Sequence, residues 1–108
     1  MLTLSLGVPA GLSSRTLEQA VTNLIERYGI TIVVAAGNAR GSQRTRDACR
    51  FSPGRVPGVI TVGATSAVDQ TWPDGMTGRC VDLMVWPPLF THRSLIVHRY
   101  EYLRTARP

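Results

Sequence analysis

Three kinds of side chain in this 108-residue sequence could do chemistry: an asparagine at a strand end, a pair of cysteines, and a few hydroxyls and imidazoles. Asn38 directly follows Val33-Val34-Ala35-Ala36-Gly37, a run of β-branched and small residues. In open α/β folds ligands bind at the carboxyl ends of parallel strands, where an amide can donate to a polarised carbonyl oxygen. Gly-Asn is equally ordinary turn chemistry, and the local sequence taken alone favours the turn. Cys49 and Cys80 have no CxxC spacing, which argues against zinc or dithiol chemistry and leaves one bridge or two free thiols. His92, Ser94 and His98 share a segment, but no motif sets a base against a nucleophile, so they read as surface residues.

An amide at a strand end needs a sheet to hold it. Leu17, Ala20, Val21, Leu24, Ile25 and Tyr28 recur at helical spacing, while Arg15, Glu18, Asn23 and Glu26 face away. The spacing predicts an amphipathic helix over residues 13–28, with Ser13 or Ser14 as N-cap and Gly29 as the left-handed residue that ends it. The residues Ile30 to Ala36 read as a parallel strand buried on both faces. Leu2-Thr3-Leu4-Ser5-Leu6 precedes the helix as another strand, giving a βαβ unit. Val59 to Gly63 supplies a third strand and Cys80 to Leu83 a fourth, while residues 92–105 give a weak helical pattern. The expected class is α/β with a parallel sheet.

Composition bounds the function. Apolar residues make up 44% and charged residues 18%, enough for a core and unlike a disordered chain. All 12 basic residues are arginine and the formal net charge is +5. Residues 39–55 carry +4 and residues 83–108 carry +3, whereas residues 1–38 are neutral and residues 56–82 carry −2. A phosphate-binding surface needs its charge on a folded element, and here the excess sits in a loop-like stretch and the last quarter. The longest strongly apolar run, Ile30 to Ala36, is far short of the roughly 20 residues of a membrane span, and no secretion signal is visible at Met1. Gly7-Val8-Pro9-Ala10-Gly11 lacks the spacing of a dinucleotide loop.

Several anchors, in order, resemble the subtilisin-like serine proteases, in particular their proteinase K-like branch. They are Leu4-Ser5-Leu6-Gly7, Val33 to Asn38, Asp47-Ala48-Cys49, Phe51-Ser52-Pro53, Val59 to Thr65, and Gly78 to Leu83. The resemblance implies an incomplete three-layer subtilisin-like fold, a parallel sheet with flanking helices. It implies that Asn38 is the oxyanion-hole donor, that Ser5, Leu6 and Gly7 form the edge pairing with substrate backbone, and that Ala35, Ala36 and Gly37 wall the primary specificity pocket. It further implies a calcium site from the Pro57 and Val59 carbonyls with Asp82, and a Cys49–Cys80 disulfide. A peptide or protein substrate and a secreted parent follow, with no nucleic-acid or membrane partner expected.

Departures from the pattern decide what this chain alone should do. No Asp-Thr-Gly or Asp-Ser-Gly precedes Leu4, no His-Gly-Thr occurs, and Gly-Thr-Ser-Met-Ala is replaced by other sequence. The family's Asp, His and Ser therefore have no counterpart. Gly41 to Arg46 looks like an insertion, and Pro73 to Thr77 departs from the usual turn. The expectation is a partial catalytic domain at residues 1–83 followed by an unrelated Arg-rich tail at residues 84–108. Such a fragment of a serine endopeptidase is expected to be inactive alone and marginally stable. The alternatives are a non-catalytic peptide- or protein-binding module and, further off, an Arg-rich nucleic-acid binder.

Overall fold

The computed structural model describes residues 1–39, 46–86 and, as backbone only, 103–105. Five strands form the main sheet: β1 (Leu2–Leu4), β3 (Ile32–Ala35), β5 (Ile60–Ala64), β6 (Leu83–Val85) and β7 (Leu103–Thr105), in the order β1-β3-β5-β6-β7. The first four run parallel, with Leu4 beside Val34, Val34 beside Thr61 and Val62 beside Leu83. β7 closes the row antiparallel to β6. A small antiparallel pair, β2 (Val8–Pro9) with β4 (Phe51–Ser52), stands apart from the sheet.

Helix α1 spans Arg15–Tyr28, preceded by a 3₁₀ turn at Leu12–Ser14. Gly29 ends it at φ 61, donating its N–H to the Ile25 carbonyl while Ile30 reaches back to the Leu24 carbonyl. Ser14 holds the N-cap position, yet its side chain does not cap; its hydroxyl accepts the Gly11 N–H at 3.0 Å. Of the expected apolar stripe Leu17, Val21, Leu24 and Ile25 pack inward, whereas Ala20 and Tyr28 are exposed, and Glu18, expected to face away, is half-buried. Val21, Ile32, Val34, Val56 and Val59 form one buried cluster, with Leu4, Leu17, Leu24, Ile25 and Ile30 packed around it. A second cluster of Ala36, Ala48, Met76 and Val81 has Phe51, Cys80 and Met84 of β6 packed against it.

Three expectations need correction. β3 is buried on one face only: Ile32 and Val34 are sealed under α1, whereas Val33 is half-buried and Ala35 exposed. The continuous apolarity of this strand suits two covered faces, but among the described residues only one is covered, and Thr3, Val33, Ile60, Val62 and Leu83 line an open trough of about 460 Å³. The fourth strand begins at Leu83, where Cys80 to Leu83 was expected. Asp82 explains the delay, because its carboxylate Oδ2 accepts the Thr61 N–H at 2.7 Å while its own N–H donates to the Thr61 carbonyl at 2.8 Å. Residues 103–105 are strand, against the helical pattern read over residues 92–105; the edge of β6 offers that backbone a hydrogen-bonded ladder. The remainder of that segment, with His92, Ser94 and His98, lies outside the described residues, as do residues 41–45 of the insertion read at Gly41 to Arg46.

Candidate functional site

Asn38 leaves the carboxyl end of β3 through Gly37, whose φ of 92 is open to glycine and strained for other residues. The Ala36 N–H still belongs to the sheet, donating to the Val62 carbonyl at 2.8 Å. Past it the chain is gripped by a different segment. Asn38 forms an antiparallel bridge with Gly75, Ala39 donates to the Asp74 carbonyl at 2.7 Å, and Met76 donates to the Gly37 carbonyl at 3.2 Å. Met76 is fully buried, and its side chain lies beneath Gly37. The Asn38 residue itself stays exposed. A fixed backbone carrying an exposed amide is the arrangement that oxyanion stabilisation requires, since the donor must not reorganise as charge develops.

Residues 73–77, where the sequence departs from the family's usual turn, thus supply the buttress of Asn38. That segment is tied in turn to the Cys49 region. Ala48 donates to the Thr77 carbonyl at 2.8 Å and Thr77 to the Arg46 carbonyl at 2.7 Å. Asp47 caps the 3₁₀ turn Ala48–Arg50 by accepting the Cys49 N–H at 3.0 Å, and the Cys49–Cys80 disulfide closes this corner. The bridge left open by the residues alone, and implied by the family, is formed.

Seven residues singled out in the sequence line one depression of about 500 Å³: Ser5, Leu6 and Gly7 on one rim, and Ala35, Ala36, Gly37 and Asn38 on another. Its third side is built from Phe51, Ser52, Gly54 and Met76, to which sequence reasoning gave no site role. Phe51-Ser52-Pro53 stood out only as an anchor, and the contact of Met76 with Gly37, 39 residues apart, leaves no local trace. The β2–β4 pair joins the rims, with Val8 beside Ser52. Among the described residues no charged side chain lines the depression, and this lining suits an uncharged group.

Pro57, Val59 and Asp82 lie away from this depression, at the start of β5. Pro57 is exposed and Val59 buried, with Gly58 between them at φ 90. Asp82 is exposed and bound through Oδ2 to Thr61, two residues beyond Val59. Among the described residues no group of three or more His, Cys, Asp or Glu side chains is placed to hold a metal. A cation at this corner would draw on main-chain carbonyls and one carboxylate, an all-oxygen donor set that fits a hard ion such as calcium.

The Subtilase family model matches residues 2–92. An extracellular serine proteinase of Thermus sp. (strain Rt41A) is 46% identical over 83 residues, 77% of this chain and 18% of that protein. Proprotein convertase subtilisin/kexin type 9 of Mus musculus is 49% identical over 78 residues, 68% of this chain and 10% of that protein. The crystal structure of a cold adapted subtilisin-like serine proteinase superposes with a TM-score of 0.63 at 36% identity, covering 77% of this chain and 28% of that one. The chain spans less than a third of each of these relatives.

Proposed function

Because the chain belongs to the subtilase family, we propose that it carries the oxyanion donor and part of the substrate cleft of a secreted serine endopeptidase, and that its 108 residues alone bind peptide without cleaving it. The observation that carries this reading is the single depression uniting Asn38 with Ser5 to Gly7 and Ala35 to Gly37. An extended peptide would lay its main chain along Ser5 to Gly7, adding a strand-like partner whose hydrogen bonds are indifferent to side-chain identity. One uncharged side chain would enter between Ala35–Gly37 and Phe51–Gly54. The scissile carbonyl would then stand at Asn38, whose amide N–H stabilises the oxyanion. Losing such a donor costs about 2.7–4 kcal/mol in transition-state energy, a figure measured in a member of this family.

Nucleophilic attack needs a Ser activated by a His that an Asp orients. No motif in these 108 residues supplies them, so those groups belong to other parts of a parent enzyme. Calcium held by Pro57, Val59 and Asp82 would supply charge neutralisation and cross-link the start of β5 to the approach of β6. The Cys49–Cys80 disulfide suits the oxidising compartment of a secreted parent. The test is to incubate the purified chain with a fluorogenic peptide set and a serine-directed fluorophosphonate probe. Peptide binding with no product and no labelling is expected; hydrolysis accompanied by labelling of this chain overturns the reading.

A further inference from the structure

The wall of the depression opposite Asn38 is held by a helix residue that does not line it. Glu18, in the first turn of α1, accepts the Ser52 hydroxyl and the Arg55 Nε–H on Oε1, the latter at 2.7 Å. Its Oε2 accepts from Arg55 Nη2 at 3.2 Å, and Ser14 Oγ stands 3.1 Å from Oε1. Ser52 is fully buried, and its backbone pairs with Val8. Arg55 in turn donates its main-chain N–H to the Phe51 carbonyl at 3.0 Å, so the segment folds back on itself between two Glu18 contacts. From the sheet side, Thr61 Oγ1 donates to the Gly54 carbonyl at 2.7 Å. Besides its main-chain pairing with β2, the Phe51–Gly54 wall therefore has two side-chain anchors, one on β5 and one on α1. The first is a single neutral hydrogen bond, while the second is a charge-assisted network that draws on both ends of the wall.

We propose that Glu18 is a positioning residue for this cleft: by tying Ser52 and Arg55 to the start of α1 it sets the separation of the Phe51–Gly54 wall from Gly37–Asn38, and so the size of side chain the pocket admits. This rests on the reading of the depression as a peptide cleft. Removing the carboxylate leaves the buried Ser52 hydroxyl without that acceptor and frees the Arg55 guanidinium, so the wall relaxes on its α1 side while the Thr61 bond and the pairing with β2 still hold it. Shape discrimination in an apolar pocket is steep, a methylene changing affinity by about tenfold or more. A small displacement of one wall is thus readable as selectivity.

The experiment uses the full chain and two fluorescein-labelled extended peptides that differ only in carrying Ala or Phe at one central position, with dissociation constants from anisotropy. The quantity read is the ratio of the two constants, which is insensitive to the folded fraction because both peptides sample the same folded population. Glu18→Ala is expected to move this ratio at least about threefold toward the Phe peptide, and Glu18→Gln, which keeps an oxygen for Ser52, less far. Arg55→Gln, at a partly exposed position, should move it the same way and serves if Glu18→Ala does not fold. An unchanged ratio in Arg55→Gln and in any folded Glu18 variant overturns the proposal. Failure of the unaltered chain to bind either peptide overturns the underlying cleft reading and this proposal with it.

Discussion

At the scale of single residues, the structure separates those that hold the site from those that face a ligand. Asn38 is exposed, so Asn38→Ala is expected to change unfolding free energy by less than about 0.5 kcal/mol in urea titrations. Gly78 behaves oppositely. Its φ is 103, and a Cβ there would stand 2.9 Å from Asp47 Oδ1, the carboxylate that caps the turn leading into Cys49. Gly78→Ala is expected to cost about 1–3 kcal/mol in the same titration, and no loss would show that the Asp47 corner gives way freely. Asn38, Ser5 to Gly7 and Ala35 to Gly37 were legible in the sequence because they sit in short motifs whose order matched a family. Met76 was not, since its role is packing under Gly37 from 39 residues away. The residue-level sequence could not choose a bridge for Cys49 and Cys80; the family implied it, and the structure forms it.

Between elements, α1 and the Phe51–Arg55 turn are joined by a carboxylate whose acidity records the contact. Arg55 first and Ser52 second hold the Glu18 carboxyl down at about 2, from an ordinary 4.5. A folded-state value below the unfolded one means the contact contributes fully above about pH 4.5 and is lost as pH falls toward 2. The urea midpoint of the chain should therefore exceed that of Glu18→Gln at pH 6, with the gap narrowing between pH 4 and pH 2. A gap independent of pH would contradict the ionic origin. The disulfide joins the 3₁₀ turn at Ala48–Arg50 to the approach of β6 across a separation of 31 residues. Replacing both cysteines by serine should lower stability by about 2–4 kcal/mol, read from denaturant unfolding. The helix was legible from its periodicity and the central strands from their β-branched apolar runs. The start of β6 was not, because it depends on Asp82 spending its carboxylate on the Thr61 amide, a tertiary contact between residues 21 apart.

At the scale of the molecule, among the described residues one side of the sheet is packed and the other is open. Thr3, Val33, Ile60, Val62 and Leu83 present an apolar trough, a surface of the kind that drives association. In the proposed parent, further elements would cover it; in the isolated chain, self-association at micromolar concentration is expected, and Val62→Glu should raise the monomer fraction in sedimentation velocity. A monodisperse unaltered chain with a sharp thermal transition would contradict this. The sequence disclosed an apolar strand but not which faces would find partners, because apolarity reports what a strand can bury rather than what is there to bury it. The arginine excess belongs mainly to residues 39–55 and 83–108, and the described residues that line the cleft carry no charge. The proposed function requires this lining to receive peptide without cleaving it. The most direct measurement is a titration of the isotope-labelled chain with an uncharged extended peptide, following amide chemical shifts while the peptide is assayed for products. Shifts concentrated at Ser5 to Gly7, Ala35 to Asn38 and Phe51 to Gly54, with the peptide left intact, are the predicted result; shifts confined to other surfaces, or cleavage of the peptide, would contradict it.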